Sequence, residues 1–174
     1  MDIAGKAALI TGAAAGIGRA IAVALADRGA RHLTLCDIDD RGLAETAVLA
    51  GRRGAAVALR RLDVADCADY ADYGRALEEA DRDEGLAIVI NNAGIVAGLP
   101  EYPHTALERI AQVVSVNLTA VIAGTAVAAR FMSARGGGVI VNTASMTAFR
   151  PRLLDAQYRA SKAGEVLELP NAAR

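Results

Sequence analysis

The chain alternates apolar, strand-like runs with segments of helical periodicity along almost its whole length. Five apolar runs are predicted to be strands: 7–11, 32–36, 55–62, 86–90 and 139–143. Helical patterns separate these runs, and the last helix is predicted to begin near Ala156. Strands that are apolar on both faces and alternate with helices are typical of a parallel sheet covered on both sides. Because crossovers between parallel strands are right-handed, we predict a doubly wound, Rossmann-like α/β sheet with the strand order 3-2-1-4-5.

The composition is that of one ordinary globular domain. The chain has 174 residues, and domains usually have about 100–200, so we predict a single domain over residues 1–174. A net charge of −1 leaves no basic surface for a nucleic acid or an anionic membrane. The two cysteines, Cys36 and Cys67, are too few for a disulfide scaffold or a zinc site, so no metal is expected. We therefore expect a cytoplasmic protein.

One segment is apolar enough to suggest a transmembrane helix. Residues 110–129 carry no charge, which is about the length needed to cross a bilayer. Polar side chains interrupt the run, among them Gln112 and Thr125, and arginines bound it at both ends. We therefore predict two helical segments over about 105–134, the second of them buried inside a soluble protein, and no membrane partner.

The turn after the first strand is rich in glycine. It reads TGAAAGIG from Thr11 to Gly18 and precedes a predicted helix. In such a turn Gly12 allows a tight bend, Gly16 lets backbone N–H groups approach a pyrophosphate, and Gly18 permits close helix–strand packing. The N-terminus of the helix favours a bound anion. The sequence therefore predicts a dinucleotide site, the alternative being a loop of small residues in an alanine-rich chain.

Acidic residues follow the second and third strands. Asp37 closes the second strand, where a carboxylate accepts hydrogen bonds from an adenosine ribose and repels a 2′-phosphate. Ala15 is neutral at a position where an arginine would bind that phosphate. We therefore predict NAD in preference to NADP. Asp63 can accept a hydrogen bond from the adenine amino group, with Val64 packing beside it, although this indication alone is weak.

A serine, a tyrosine and a lysine carry the predicted chemistry. Tyr158 and Lys162 are four residues apart, so they share one face of the last helix. A free tyrosine ionises only near pH 10, and a neighbouring ammonium favours its phenolate form. Ser145 follows the fifth strand and can donate a hydrogen bond to a carbonyl oxygen near the tyrosine. Hydride transfer between an alcohol and a ketone requires this combination of proton transfer and oxygen polarisation.

Taken in order, these motifs resemble those of the short-chain dehydrogenase/reductase family. The glycine loop matches that family's T-G-x-x-x-G-x-G pattern, and residues 91–94 match its N-N-A-G motif. The family's Asn-Ser-Tyr-Lys tetrad corresponds to Asn117, Ser145, Tyr158 and Lys162. The resemblance implies an NAD-dependent oxidoreductase that transfers a hydride between the cofactor and a secondary alcohol or ketone.

The resemblance also implies a role for each residue of the tetrad. Tyr158 would be the acid/base, Ser145 would orient the substrate, and Asn117 would anchor a water relay to Lys162. Lys162 would hold the nicotinamide ribose, and the helices of Asn117 and Lys162 would form the interface of a homo-oligomer. Besides Tyr158 and Lys162, the expected cofactor-binding residues are Gly12, Gly16, Ile17, Gly18, Asp37, Ile38, Asp63, Val64, Asn91, Ala93 and Gly94.

The substrate and the C-terminal end are less well defined by the sequence. Met146, Phe149 and Leu153 near Ser145 indicate an apolar substrate. Members of the family have two further strands, which find no counterpart here, so we expect an incomplete domain with the fifth strand as an open edge. Pro170 is expected to end the last helix. The alternative to an enzyme is therefore a truncated, non-catalytic nucleotide-binding fragment, or a partner that pairs through the open edge.

Overall fold

The computed structural model describes residues 2–66, 71–82, 85–149, 155–168 and 172–173. Its strands are β1 (Ala7–Thr11), β2 (His32–Asp37), β3 (Ala56–Arg61), β4 (Leu86–Asn91), β5 (Gly138–Asn142) and β6 (Ala172–Ala173). Its α-helices are α1 (Gly16–Asp27), α2 (Asp40–Gly51), α3 (Ala71–Ala80), α4 (Leu107–Val114), α5 (Ala120–Ser133) and α6 (Ala156–Glu168). Cys67, Leu153 and Pro170, on which predictions also rest, lie outside the described residues.

The predicted sheet order is confirmed. The first five strands pair in parallel in the order β3-β2-β1-β4-β5. The expectation that the fifth strand is an open edge was incomplete, because β6 pairs with β5 in antiparallel orientation at Gly138 and Val139. The open edge that the sequence predicts is thus covered at the start of β5 within the described part of the chain.

Each face of the sheet buries its own apolar cluster, because neighbouring side chains of a strand point to opposite faces. Ile10, Leu35 and Leu43 belong to the cluster beneath α1 and α2, and all three are almost completely buried. Leu9 and Met132 belong to the cluster beneath α3 and α5. At about 25 cal/mol per Å² of apolar surface removed from water, these two clusters supply the main favourable term for folding. They fix the strands, and with them the loops at the strand ends.

The helical region before β5 differs from the prediction of two segments. A π-helical turn, Ser115–Thr119, joins α4 directly to α5, so that one helix runs over Leu107–Ser133. Among the described residues it is the one helix long and apolar enough to cross a bilayer by length and composition. However, α5 packs on α3, β4 and β5 and buries Val121 and Ala128, as the core helix of a globular domain does.

Helix α3 buries one face against the sheet. The polar sequence over 66–84 indicates a solvent-facing helix, but Tyr73 and Leu77 of α3 are buried against the sheet. The buried residues of α3 are Tyr73, Ala76, Leu77 and Ala80, which have the i, i+3, i+4, i+7 spacing of an amphipathic helix, so the acidic residues occupy only its other face.

Candidate active site

A cleft of about 920 Å³ lies along the carboxyl ends of the parallel strands. β2 and β5 are three strands apart, so at about 4.8 Å per strand the cleft spans roughly 14 Å from Asp37 to the residues after β5. Ligands of doubly wound sheets bind at this edge, where the strand order reverses. The predicted residues that line the cleft are Gly12, Gly16, Ile17, Asp37, Ile38, Asp63, Val64, Ala93, Gly94, Ser145, Tyr158 and Lys162.

The glycine loop depends on its glycines for two different reasons. Gly12 and Gly16 have φ angles of +67° and +53°, a region that other residues rarely adopt. A Cβ atom on Gly18 would lie 2.0 Å from the carbonyl oxygen of Gly12, so only glycine lets α1 pack this closely on the turn. A Cβ atom on Gly16 would meet nothing within 4 Å, because that side of the loop is open. Gly18 itself supports the loop from behind and does not line the cleft.

The N-terminus of α1 is left without a side-chain cap. Its N-cap residue, Ala15, offers no hydrogen-bond acceptor, and the first turn contains no acidic side chain. Within the described residues no side chain caps this turn, and the helix dipole adds partial positive charge there. An open loop with these donors fits a pyrophosphate.

Asp37 is held by backbone N–H groups around it. One carboxylate oxygen accepts from Ala14 N at 3.0 Å, and the other accepts from Ile38 N at 2.7 Å and Asp39 N at 3.1 Å. The carboxylate is thus fixed beside the glycine loop at the end of β2. The nearby cation Arg61 forms an ion pair with Asp40 at 3.2 Å and also donates to the carbonyl of Ile38. Asp37 and Asp63 both line this end of the cleft, so the charge there is negative.

The motif after β4 joins that strand to the glycine loop. Thr11 Oγ1 accepts hydrogen bonds from Asn92 N at 3.0 Å and Ala93 N at 3.1 Å. The amide of Asn92 donates to the carbonyl oxygens of Thr11 at 3.1 Å and Gly12 at 3.3 Å. Asn92 also lines the cleft, although it was not among the predicted site residues. Its position inside the N-N-A-G motif was the signal that could have identified it.

Asn91, which was predicted to bind the cofactor, faces the protein interior. Its side-chain oxygen accepts from the Tyr73 hydroxyl at 2.7 Å. Its amide nitrogen donates to Asn142 Oδ1 at 2.9 Å and Thr125 Oγ1 at 3.2 Å. Burial raises the pKa of the Tyr73 phenol far above its ordinary value, so the hydroxyl remains a donor. Asn91 is outside the residues lining the large cleft and links four elements beneath it.

Asn117 is also behind the cleft and is completely buried, with 0% of its surface exposed. Its Oδ1 accepts from Ile95 N, and its Nδ2 donates to Ile95 O, both at 2.8 Å. The residue lies in the middle of the π-helical turn between α4 and α5. The amide therefore fixes the segment after β4 to this long helix.

Ser145, Tyr158 and Lys162 meet at the far end of the cleft. Ser145 caps the short 3-10 turn Met146–Ala148, because its Oγ accepts from Thr147 N at 3.2 Å. Tyr158 and Lys162 are one turn apart on α6. Both side chains line the cleft together with Ser145, so the structure brings the three predicted residues to one wall.

Lys162 is buried and makes two short hydrogen bonds. Its Nζ donates to the carbonyl oxygen of Thr143 at 2.7 Å and to Glu165 Oε1 at 2.6 Å. Glu165 is 3% exposed, and its burial raises the pKa of this carboxyl, although Lys162 counteracts part of that rise. Glu165 was not among the predicted residues, because in sequence it is one acid among twenty.

Arg109 also lines the cleft, although it was not among the predicted site residues. Its guanidinium donates to Val96 O at 2.6 Å, Ala97 O at 3.0 Å and Gln112 Oε1 at 2.6 Å. These bonds attach the loop after β4 to α4. Among the described residues, no group of His, Cys, Asp and Glu is arranged to hold a metal ion.

Comparison with known proteins gives consistent matches. The sequence model of the family described as short chain dehydrogenase matches residues 6–169. The levodione reductase of Leifsonia aquatica is 38% identical over 165 residues, which cover 92% of this chain and 60% of the relative. The D-threitol dehydrogenase of Mycolicibacterium smegmatis is 37% identical over 164 residues, covering 93% of this chain and 61% of that protein.

A solved structure has the same fold. The crystal structure of a short chain dehydrogenase/reductase from Burkholderia phymatum in complex with NAD is 33% identical, with a TM-score of 0.86. The alignment covers 95% of this chain and 58% of that one. The chain therefore spans about 60% of the length of these three proteins.

Proposed function

This chain belongs to the short-chain dehydrogenase family, and we propose that it binds NAD and interconverts a secondary alcohol and a ketone. The observation that carries the proposal is one continuous cleft. Gly12, Gly16 and Asp37 line it, and so do Ser145, Tyr158 and Lys162. A volume of about 920 Å³ lies within the usual range for cofactor and ligand sites, about 300–1,000 Å³.

The residues at the end of the cleft that contains the glycine loop and Asp37 fit a dinucleotide. The first turn of α1 receives the pyrophosphate, because no side chain in the described part of the protein caps its N–H groups. Asp37 accepts from the hydroxyls of the adenosine ribose and repels a 2′-phosphate, which favours NAD over NADP. Asp63 and Val64 border the adenine, and Ile17, Ile38, Ala93 and Gly94 complete the cofactor surface. A bound nicotinamide supplies or accepts the hydride.

The residues at the other end provide the proton and the orientation. Tyr158 gives a proton to the carbonyl oxygen of a ketone, or takes one from an alcohol, through its hydroxyl. Ser145 donates a hydrogen bond to the same oxygen and so orients the substrate. Lys162 lies one turn from Tyr158 on α6, and its remaining N–H group donates to the nicotinamide ribose. Asn117 supports this end from behind through the segment after β4.

The substrate that fits best is small and apolar. Val96 is 55% exposed and lines the cleft, while Met146 and Phe149, close to Ser145 in the chain, are 67% and 64% exposed. Levodione reductase is named for a ketone and D-threitol dehydrogenase for a polyol. Apolar side chains favour the first kind of substrate over the second, because they leave the hydroxyls of a polyol without partners.

The proposal extends to the setting in which the chain works. Residues 1–174 act as one nucleotide-binding domain in the cytoplasm, without nucleic acid or membrane. The helices that carry Asn117 and Lys162 join two copies of the chain. The second candidate is a non-catalytic nucleotide-binding protein, for which the glycine loop and Asp37, at the opposite end of the cleft from Tyr158, would be sufficient.

Thermal unfolding of the purified chain with NADH, NADPH or no ligand tests the proposal. A ligand at 100 times its dissociation constant stabilises a protein by about 2.7 kcal/mol. We expect NADH to raise the unfolding temperature and NADPH to raise it much less. A transition that neither cofactor moves would contradict the dinucleotide site. A shift by NADH without turnover of any secondary alcohol or ketone would support the non-catalytic candidate.

A further inference from the structure

The pair formed by Glu165 and Lys162 is unusual in its burial. Lys162 is 4% exposed and Glu165 is 3% exposed, and their charged atoms are 2.6 Å apart. Glu165 Oε2 is buried and has no hydrogen-bond partner in the described part of the chain. A buried carboxylate oxygen without a donor is costly. Packing alone does not account for an acid at this position, so the carboxylate is expected to act on the lysine.

Glu165 accepts one of the hydrogen bonds that the Lys162 ammonium group can donate. An ammonium group has three N–H donors. One of them bonds to Thr143 O and a second to Glu165 Oε1. The proposed function requires the same ammonium to donate to the nicotinamide ribose. Only one donor remains for a ligand, and the positive charge is offset by an adjacent carboxylate.

The other charged groups that line the cleft are differently arranged. Arg109 is bonded to the loop after β4 and to Gln112. Asp37 is fixed by backbone N–H groups, and both Asp37 and Asp63 lie at or just beyond the ends of strands that β1 and β4 separate from β5. Within the described residues Lys162 forms its ion pair with Glu165 alone. The charge available to the nicotinamide half of a dinucleotide is therefore set by this pair.

We propose that Glu165 is a positioning residue that acts through Lys162, by competing with the nicotinamide ribose for its ammonium group and so weakening the hold on that half of the cofactor. The inference rests on the proposed function, because it takes Lys162 as the ribose ligand. Two ligands separate its effect from the rest of the site. NADH reaches the lysine, whereas ADP carries only the adenosine half and the phosphates.

The test is calorimetric titration of NADH and ADP into the parent chain and Glu165→Gln. Glutamine keeps the shape and a hydrogen-bond acceptor but removes the charge. We expect the variant to bind NADH at least three times more tightly and to bind ADP with unchanged affinity. In a Lys162→Gln background the same substitution is expected to leave NADH affinity unchanged. This last measurement shows whether the effect passes through the lysine.

Other outcomes would overturn the inference. An unchanged or weaker NADH affinity in Glu165→Gln would do so, and so would an equal change for ADP, which indicates a structural effect. Glu165→Asp, whose shorter side chain withdraws the charge from Nζ, is expected to give a smaller gain in NADH affinity. Failure of both variants to fold would show that the pair serves the fold instead. If the parent chain bound ADP and NADH with equal affinity, the inference about Glu165 would be wrong while the proposed cofactor site would stand. If the parent chain bound neither ligand, the proposed function itself would be wrong.

Discussion

The side chain of Asn117 closes a ring with the backbone of Ile95, accepting from its N–H and donating to its C=O, both at 2.8 Å. The ring fixes the segment that follows β4 to the π-helical turn of the long helix. Gly94, the residue before Ile95, lines the cleft close to Lys162, since a Cβ atom on Gly94 would lie 3.8 Å from Lys162 Nζ. The buried amide therefore holds the wall of the cleft from behind.

Asn117→Ala is expected to destabilise the protein by about 2–4 kcal/mol, because it removes the partners of two backbone groups at once. Urea unfolding of the parent and the variant measures this difference. Ser115→Ala in the same turn is the control and is expected to cost less than about 0.5 kcal/mol. Equal stability of Asn117→Ala and the parent would show that water replaces the amide without cost.

Gly18→Ala is expected to abolish NADH binding and to lower stability by about 2 kcal/mol or more, because the new Cβ would lie 2.0 Å from the Gly12 oxygen. Gly74→Ala in α3 is the matched control. A Cβ there meets nothing within 4 Å, so alanine is expected to stabilise the helix by about 0.5–1 kcal/mol. Thermal unfolding and an NADH titration measure both effects. Normal NADH binding by Gly18→Ala would refute the close packing of α1 on the loop.

Asp37→Ser is expected to reduce the preference for NADH over NADPH by about tenfold or more, since it removes the carboxylate that repels a 2′-phosphate. Titrations of both cofactors into the parent and the variant give the ratio of affinities. Asp39→Ser is the control, because Asp39 caps α2 through Arg41 N and Gly42 N and does not line the cleft. If Asp37→Ser kept the parent's ratio, another group would select the cofactor.

Tyr158→Phe is expected to lower kcat for a secondary alcohol by about 100-fold or more, the usual contribution of a positioned acid or base. NADH affinity is expected to change less than about threefold, because the ring remains in place. Tyr102→Phe, at a tyrosine that is 49% exposed, serves as the control and is expected to leave both quantities unchanged. Equal turnover in Tyr158→Phe and the parent would remove the proton-transfer role.

Stability is expected to fall above pH 9 because of the Cys36 thiol. Burial raises its pKa from 9.0 to about 12, so the folded protein keeps a proton that the unfolded chain loses. The contribution of this thiol is complete below pH 9 and is lost as the pH rises to about 12, by about 2 kcal/mol at pH 10.5. Urea unfolding at pH 8 and pH 10.5 measures the loss. Between pH 8 and pH 10.5 the free energy of unfolding of Cys36→Ala is expected to fall by about 2 kcal/mol less than that of the parent. Equal falls in the two proteins would contradict the raised pKa of Cys36.

The sheet and the glycine loop could be predicted because their signals are local. A strand of a parallel sheet is apolar on both faces, and the turn after β1 needs glycine at fixed spacings, as the positive φ angles of Gly12 and Gly16 illustrate. The two-residue strand β6 has no such pattern, and its pairing with Gly138 and Val139 depends on where the chain returns to the sheet.

Periodicity and the conformations that single residues allow were enough to predict the order of the strands, the glycine loop and the residues that follow each strand. The directions of the polar side chains depend instead on how the elements pack together. Asn91 and Asn92 are neighbours in one motif, yet Asn91 bonds to Tyr73 in the interior while Asn92 lines the cleft. Glu165 is likewise an ordinary helix residue until α6 packs and buries it against Lys162. Hydrogen bonds between distant residues depend on which elements the folded core brings together, and no local pattern encodes them.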